Sequence, residues 1–317
     1  MSELIINVAL LAIFLIILVR SAMFAIDSIV KFSKRTRISE LAAGFVIVAV
    51  ATSTPEISVA VFSTYADNVG ITLGDIFGSN VTNIALIAAL FLLVSPVKKI
   101  TPGTVHRFFP LLVAASLIPL FLLLAQQGTN FIGIALLAAF AFFIYHTFKS
   151  SEKEAGVREP GSPYKPLLFF FIGIAVVITS AKFIVDSASF IAEYSGIRES
   201  VIGATIISLG TSLPELTVDL VAVRKRHLDL AVGDIVGSCI TNITLVLGLV
   251  LVLSHAEINF GILSTLISFA IAAPLVMFLL LRKGNVSKYQ SIVLFSIYAV
   301  FLLVIYQVQI AIGGIKL

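Results

Sequence analysis

The segment T-S-T-P-E at residues 52–56, followed by G-D-I-F-G-S-N-V-T-N at residues 74–83, is the most informative part of this chain. A second copy follows, as T-S-L-P-E at residues 211–215 and G-D-I-V-G-S-C-I-T-N at residues 233–242. Both copies lie in runs apolar enough to cross a bilayer. Because a carboxylate at that depth is costly and usually marks a route for cations or protons, the paired glutamates predict a transporter.

The composition defines the class of protein. Of the 317 residues, 59% are hydrophobic and 12% are charged, whereas about a quarter are charged in soluble domains. Long, recurring apolar runs predict an all-α membrane protein that crosses the membrane several times. The basic residues lie between these runs instead of forming one face, which argues against nucleic acid as a partner. Residues 1–20 lack a basic start and a cleavage-like site, so they are predicted to be a first span and not a removed signal peptide.

Ten transmembrane helices are predicted, joined by short loops. One strongly polar stretch, residues 149–165, falls at the midpoint and is interpreted as an exposed linker. The predicted spans are 4–30, 40–66, 70–95, 106–126, 130–148, 166–190, 200–223, 229–254, 258–281 and 289–312.

The loop charges predict the orientation in the membrane. Seventeen Lys and Arg residues lie in the loops after odd-numbered spans, and only Arg198 and Lys316 lie on the opposite side. By the positive-inside rule the first side is cytoplasmic. The chain is therefore expected to be an integral cell-membrane protein with both termini extracellular and with a cytoplasmic linker at 149–165.

The two halves match at a constant offset of 159 residues, which aligns Glu56 with Glu215. The first repeat is assigned to residues 1–148 with its motif at 49–83, and the second to residues 166–317 with its motif at 208–242. Five spans per half is an odd number, so the second copy must enter the membrane from the opposite side. This predicts two inverted five-helix repeats, an arrangement of secondary transporters in which the site lies where the repeats meet.

The local chemistry suits a dehydrated cation. Pro55 and Pro214 cannot donate hydrogen bonds within a helix, so backbone carbonyls of the preceding turn are freed. Ser53 and Glu56 are three residues apart, and Ser79 and Asn83 are four apart, so each pair shares a helix face. Carboxylates, carbonyls, amides and hydroxyls form the oxygen ligand set that hard ions such as Ca²⁺ prefer. The small residues Gly74, Gly78, Gly233 and Gly237 are expected to let helices approach closely.

The paired motifs resemble the two α-repeats of the calcium/cation antiporter superfamily, in particular those of prokaryotic sodium/calcium exchangers. The resemblance covers essentially the whole chain. It implies calcium coordination by Glu56 and Glu215 with the carbonyls of Thr52 and Thr211. It also implies sodium sites that use the side chains of Ser53, Ser79, Asn83, Ser212, Ser238 and Asn242 and the backbone of Ala49 and Ser208.

The acidic residues differ from that pattern at four positions. Asn242 stands where some exchangers carry Asp, and Asp75 and Asp234 follow glycines that are usually followed by Asn. Asp219 has only Ala60 as its counterpart. Asp75 and Asp234 are interpreted either as helix-start residues that favour the dipole or as acids that attract ions. Asp219 is interpreted either as an access acid or as a hydrogen-bond partner of a neighbouring helix.

The predicted function is secondary active antiport of Ca²⁺ against Na⁺ by alternating access. The alternative is a proton-coupled calcium antiporter, in which Glu56, Glu215 or Asp219 would bind H⁺, and a cation channel is the candidate from another class. Enzymatic chemistry is not expected, nor is a cofactor. The expected partners are Ca²⁺, Na⁺ and membrane lipid, and no particular oligomeric state is predicted.

Overall fold

The described part of the chain is entirely helical. The structure, a computed structural model, describes residues 2–36, 38–65, 69–95, 97, 99–100, 102–120, 130–151, 159–194, 208–253 and 260–313. Within these ranges there is no strand, and extended pairing is limited to a bridge between Lys99 and Asn285. The helices are α1 (Ser2–Thr36), α2 (Glu40–Thr52), α3 (Thr54–Tyr65), α4 (69–94), α5 (Pro102–Leu117), α6 (Asn130–Ser151), α7 (Tyr164–Tyr194), α8 (Ser208–Thr211), α9 (Leu213–Arg224), α10 (Leu228–Leu253), α11 (Phe260–Leu281) and α12 (Lys288–Gly313).

Most of these helices suit a bilayer. In the described ranges seven helices are long and apolar enough to cross a membrane, or eight if α2 and α3 form one bent span. Five of the ten predicted spans extend past the described residues. Span 106–126 continues beyond residue 120 and span 200–223 begins before residue 208, while 40–66, 229–254 and 258–281 each pass the described ranges by one or two residues. The all-helical membrane class is confirmed, and the number ten stays a prediction.

Two helix breaks occur at equivalent positions of the repeat. Ser53 separates α2 from α3, with a bend of 44° between the two helices, and Ser212 separates α8 from α9. Each break lies two residues before a proline, Pro55 or Pro214, whose ring and missing N–H interrupt the helical hydrogen bonds. The prolines therefore produce the interruptions that the sequence predicted.

The long helices α4 and α10 also share a backbone feature. Each contains a π-helical turn, at Thr82–Ile87 in α4 and at Asn242–Val246 in α10. The two turns begin 160 residues apart, one residue from the repeat offset. Such turns are frequent at functional sites.

The chain packs as two compact units, and each contains segments from both halves of the sequence. The first comprises residues 1–56 and 142–238. In it α1 and α7 lie antiparallel: Phe14 stacks on Phe183 with ring centroids 4.3 Å apart, and Phe24 lies 5.7 Å from Phe169. Gly173 allows this close packing, since a Cβ there would lie 2.9 Å from the side chain of Ala25.

Glycines also let α2 lie directly against α10 in the first unit. A Cβ on Gly233 would overlap the Leu41 carbonyl, and one on Gly237 would overlap the Phe45 carbonyl. This confirms the close approach predicted for these two glycines. The expectation for Gly74, which is equivalent to Gly233, stays a prediction. A Cβ there would meet no described residue within 4 Å, and residues 200 and 204, which the repeat offset aligns with Leu41 and Phe45, lie outside the described residues.

The second unit comprises residues 57–141 and 239–317. Its core includes Phe77, Phe91 and Phe109, whose side chains are completely buried. Helix α11 packs against α4, α5 and α12. The turn before α12 is held by a hydrogen bond from Ile100 N–H to the carbonyl of Gly284, whose φ of 70° suits glycine.

Candidate cation-binding site

The first helix break buries a cluster of polar side chains. Thr52 and Ser53 are fully buried, and Glu56 is 1% exposed. Thr52 Oγ1 donates to the carbonyls of Val48 and Ala49 at 3.1 and 3.3 Å. The Ser53 hydroxyl has no hydrogen-bond partner among the described residues. A buried hydroxyl without a partner is uncommon in proteins and is a candidate ligand for a bound ion.

The backbone oxygens at this break are partly satisfied by the chain itself. Pro55 deprives the Ala51 carbonyl of its helical donor, and the Thr54 hydroxyl donates to that carbonyl at 2.8 Å. The Ala49 carbonyl accepts from Ser53 N–H at 3.0 Å as well as from Thr52. A cation that used the Ala49 carbonyl would therefore share it with these donors.

The second break repeats this chemistry with one difference. Ser212 and Glu215 are buried, at 1% and 0% exposure, and the Ser212 hydroxyl has no partner within the described ranges. Thr211, which ends α8, is half-buried. Leu213 occupies the position equivalent to Thr54 and has no hydroxyl. The carbonyl of Gly210, which Pro214 frees, therefore lacks the local hydroxyl donor that the first break has.

The remaining predicted side-chain ligands lie within or just before the two π-helical turns. Ser79, Asn83, Ser238 and Asn242 are all completely buried. Neither side-chain polar atom of Asn83 has a hydrogen-bond partner among described residues, and the same is true of Asn242 Oδ1. Because buried polar groups are normally satisfied, these atoms have capacity to bind an ion.

Ser79 and Ser238 precede the two π-helical turns, and the hydroxyl of each lies near the aspartate four residues earlier in the chain. The Ser79 hydroxyl lies 3.4 Å from Asp75 Oδ1, and the Ser238 hydroxyl lies 3.4 Å from Asp234 Oδ1. Thr52 Oγ1 lies 3.3 Å from the same oxygen of Asp234. At these distances the hydrogen bonds are long and weak. The structure thus brings Thr52 and Ser238 together around Asp234, although Thr52 is 182 residues away in sequence.

The helix-start interpretation of Asp75 and Asp234 is wrong. Asp229, not Asp234, is the acid in the first turn of α10, and the first turn of α4 contains no acid. Asp234 is completely buried, whereas Asp75 is partly exposed. Both acids are therefore placed to interact with the serines and not with free backbone N–H groups at a helix end.

Asp219 is a further buried acid, and its counterpart in the first half is Ala60. It is completely buried, and it interacts electrostatically with Asp234 and Glu215. Neither of its carboxylate oxygens makes a hydrogen bond of ordinary geometry to a described residue. Because its partner Asp234 belongs to the neighbouring helix α10, the interpretation of Asp219 as a hydrogen-bond partner of a neighbouring helix stays a prediction, as does that of an access acid. Its burial also shows that it does not line an open passage in this conformation.

A residue that the sequence interpretation missed is Asn80. Its Nδ2 donates to the Cys239 carbonyl at 3.2 Å, and Cys239 Sγ lies 3.9 Å from the Asn80 carbonyl. The Oδ1 of Asn80 accepts from Asn242 Nδ2 at 3.1 Å. Asn80 therefore positions the amide of Asn242, a predicted ligand. The available signal was the offset, because residues 80 and 239 are equivalent positions of the repeat.

No group of three or more His, Cys, Asp or Glu side chains in the described ranges is arranged to hold a metal ion. The ligands implied by the resemblance do not require such a group, because only two of them are carboxylates. The other ligands would be hydroxyl, amide and carbonyl oxygens. Such a ligand set suits hard cations and not zinc or copper.

Two described basic residues of the α9–α10 turn are paired with other acids. Lys225 Nζ lies 2.6 Å from the carboxylate of Asp27, and His227 Nδ1 lies 2.9 Å from Glu40 Oε2. No ion pair within the described ranges includes Asp219 or Asp234. The buried aspartates thus lack a described protein cation, which agrees with a site that receives cations from solution.

A helical membrane protein with buried glutamates at two equivalent helix breaks belongs to the class of ion transporters. The sodium/calcium exchanger protein family matches residues 6–149 and 165–307. The inner membrane protein YrbG of Escherichia coli (strain K12) is 32% identical over 264 residues, which cover 79% of this chain and 81% of YrbG. The chain therefore belongs to the sodium/calcium exchanger family, and it is a multi-pass integral membrane protein.

Two further similarities extend over nearly the whole chain. The sodium/calcium exchanger MaX1 of Methanosarcina acetivorans is 26% identical over 353 residues, covering 96% of this chain and 99% of MaX1. A solved structure of the sodium-calcium exchanger NCX_Mj, soaked with 2.5 mM Na⁺ and 0.1 mM Sr²⁺, has the same fold. Its TM-score is 0.82 at 24% identity, over 95% of this chain and 99% of that chain. The predicted superfamily is confirmed, and it is a family of exchangers and not of enzymes.

Proposed function

We propose that this chain is a secondary active antiporter that exchanges Ca²⁺ for Na⁺ across the membrane by alternating access. The observation that carries the proposal is the pair of equivalent helix breaks, each with a buried serine and a buried glutamate three residues later. Broken helices that present backbone and acidic oxygens at membrane depth are the usual construction of ion sites in secondary transporters. The sodium/calcium exchanger MaX1 supports the choice of ions.

Calcium is assigned to the two glutamates. Glu56 and Glu215 together carry a formal charge of −2, which balances one Ca²⁺, and the carbonyls of Thr52 and Thr211 complete the assigned ligands. Both carboxylates are almost completely buried. In such surroundings charge compensation contributes more to binding than it would in water.

Sodium is assigned to neutral oxygens beside the glutamates. Support comes from the hydroxyls of Ser53 and Ser212 and from Asn83, which are buried and have no described hydrogen-bond partner. Because some of these oxygens adjoin the calcium ligands in sequence, the two ions would compete, as antiport requires. The assigned residues are Ser53, Ser79, Asn83, Ser212, Ser238 and Asn242, with the backbone of Ala49 and Ser208.

Alternating access is assigned to movement of α1 and α7, following the family resemblance. These helices pair along their lengths through Phe14, Phe24 and their partners in α7. The basic residues near the ends of these two helices are among those from which the orientation was predicted. In the proposed topology both termini are extracellular and the linker at 149–165 is cytoplasmic.

Calcium flux in proteoliposomes tests this function against its alternatives. An inward sodium gradient at equal pH on both sides should drive calcium out of the vesicles. If the protein is instead coupled to protons, a pH gradient without sodium should drive transport at the full rate. A channel would pass calcium down its own gradient with neither counter-ion. Full-rate calcium movement in sodium-free vesicles, by either route, would reject sodium coupling.

A further inference from the structure

A groove in the first unit lies outside the candidate cation site. It encloses about 360 Å³ between the second half of α1 and the start of α7. Its walls include two aromatic rings, Phe24 and Phe169, and three basic side chains, Lys31, Arg35 and Lys165. None of these residues belongs to the proposed calcium or sodium ligands, so the groove needs an explanation of its own.

The groove lies where the two helices change from apolar to polar. Lys31 follows Ile29 and Val30 and begins the basic end of α1, and Lys165 precedes the apolar run of α7. Lys and Arg at the ends of apolar helices mark the level of lipid headgroups. Phe24 and Leu168 nearby are 44% and 58% exposed, so apolar surface faces outward beside the groove. The groove is therefore at the height where a phospholipid changes from acyl chains to headgroup.

The charge of the groove is positive. Asp27 is its acidic lining residue, and the carboxylate of Asp27 is already 2.6 Å from Lys225 Nζ. Lys31 and Lys165 belong to no described ion pair, so the lining of the groove carries a net positive charge. Lys165 Nζ lies 5.6 Å from the centre of the Phe169 ring, which holds the ammonium group beside the groove by a cation–π contact.

The groove is also held in place by the chain itself. Glu159 N–H donates to the Lys34 carbonyl at 3.0 Å, and the two side chains form an ion pair at 3.6 Å. Arg35 Nη1 donates to the Ser162 carbonyl at 2.9 Å. These contacts fix the segment before α7 against the end of α1, so less conformational freedom would be lost on binding a ligand.

We propose that this groove binds the headgroup phosphate of an anionic membrane phospholipid. The phosphate would interact with Lys31, Arg35 and Lys165, and the acyl chains would lie along the exposed apolar surface at Phe24 and Leu168. Basic pockets between transmembrane helices are a known form of anionic lipid recognition. A zwitterionic headgroup would place a second positive charge against the same three cations, so it should bind more weakly.

Native mass spectrometry of the purified full-length protein tests the proposal with dioctanoyl phosphatidylglycerol and dioctanoyl phosphatidylcholine as probes. The variant is Lys31→Gln with Lys165→Gln, both exposed positions, and the matched control is Lys283→Gln with Lys288→Gln at exposed positions of the second unit. Each basic residue near an anionic lipid contributes about fivefold in affinity, so the variant should bind phosphatidylglycerol about 25-fold more weakly. The control should bind as the wild type does.

Melting temperatures without lipid should be equal for all three proteins, and the single variant Lys165→Gln replaces the double variant if they are not. A double replacement by Arg should retain binding. The proposal fails if phosphatidylcholine binds as tightly as phosphatidylglycerol, or if the glutamine variants bind like the wild type. It also fails if inorganic phosphate at equal concentration displaces the lipid, because the site would then recognise a free anion.

Discussion

The buried acids of this chain differ from one another in their surroundings. Glu56 and Glu215 follow the two helix breaks and are almost completely shielded from solvent. Asp234 accepts two long hydrogen bonds from hydroxyl groups, whereas Asp219 accepts none from the described residues. These differences predict separate effects when each acid is replaced by its amide, which keeps the size and removes the charge.

Replacing either glutamate by glutamine should abolish calcium exchange. A unit charge about 4 Å from an ion, at an effective dielectric constant of about 20, contributes about 4 kcal/mol per unit of ionic charge. Calcium affinity should therefore fall at least about a hundredfold in Glu56→Gln and in Glu215→Gln. Sodium-driven calcium flux from proteoliposomes measures this, with Glu159→Gln at a half-exposed ion pair as the control. Near-normal flux in either glutamine variant would reject the assignment of that glutamate.

Asp219→Asn should weaken calcium binding from the cytoplasmic side more than from the outside. The predicted orientation places Asp219 toward the cytoplasm, and a negative charge on a passage raises the local cation concentration. Because Asp219 is buried in this conformation, it would act when the passage opens. The measurement is apparent calcium affinity in vesicles of defined orientation, at low and high ionic strength. Equal changes on both faces, or no change, would contradict the access role.

The melting temperature of the same variant gives a second readout. Two neighbouring buried carboxyl groups with no described cation beside them are costly to desolvate. Asp219→Asn should therefore raise the melting temperature of the ion-free protein. Asp229→Asn, in the first turn of α10, removes an acid from the same region and serves as the control. A lower melting temperature without sidedness would instead indicate a structural role for Asp219.

The helical elements show that equivalent sequences need not pack alike. Thr54 caps the carbonyl freed by Pro55, while Leu213 cannot do so at the second break. Gly233 lies against the backbone of α2, while a Cβ at Gly74 would meet no described residue within 4 Å. Small residues are required where two backbones approach closely, as those of α2 and α10 do at Gly233.

Alanine at these two glycines provides a matched comparison. At Gly233 an added methyl group would overlap the Leu41 carbonyl, and overpacking of this kind costs about 1–3 kcal/mol. At Gly74 the methyl group would meet no described residue within 4 Å, and alanine favours a helix by about 1 kcal/mol over glycine. Gly233→Ala should therefore lower the melting temperature and Gly74→Ala should not. Equal melting temperatures would contradict the close packing of α2 on α10.

At the scale of the whole molecule, the repeat is visible in contacts between equivalent residues as well as in the sequence. Asn80 and Cys239 occupy equivalent positions, and each side chain reaches the main-chain carbonyl of the other. Reciprocal contacts between equivalent residues are expected where a two-fold axis passes between them. The breaks and the π-helical turns recur at nearly the same offset. These observations support the predicted inverted repeat.

Cysteine labelling tests the predicted topology. In a Cys239→Ser background, a cysteine replaces Glu3 near the N-terminus or Ser162 before α7, both exposed positions. In right-side-out vesicles a membrane-impermeant maleimide should label Glu3→Cys and spare Ser162→Cys until the vesicles are opened. The reverse labelling would show that the basic loops are extracellular and would overturn the orientation.

Much of this protein could be predicted from local sequence. Long apolar runs predict membrane helices because the bilayer requires a minimum apolar length and internal backbone hydrogen bonds. Pro55 and Pro214 predict helix breaks because proline lacks the N–H that continues a helix. The repeated motifs identified the superfamily, and the family match confirms it. The helix-start alternative for Asp75 and Asp234 was wrong because each aspartate lies six residues after the first residue of its helix, beyond the first turn in which the helix dipole acts.

Only the tertiary structure decided which distant residues meet. Thr52 contacts Asp234 across 182 residues, and Asn80 positions Asn242 across 162 residues. Spacing along the chain specifies which side chains share a helix face, but it does not specify which faces of two helices pack together. That choice depends on the shape and volume of all the packed side chains, as the close approach of Gly233 to the Leu41 carbonyl shows. The surroundings of Asp219 and Asp234 therefore became visible only in the folded chain.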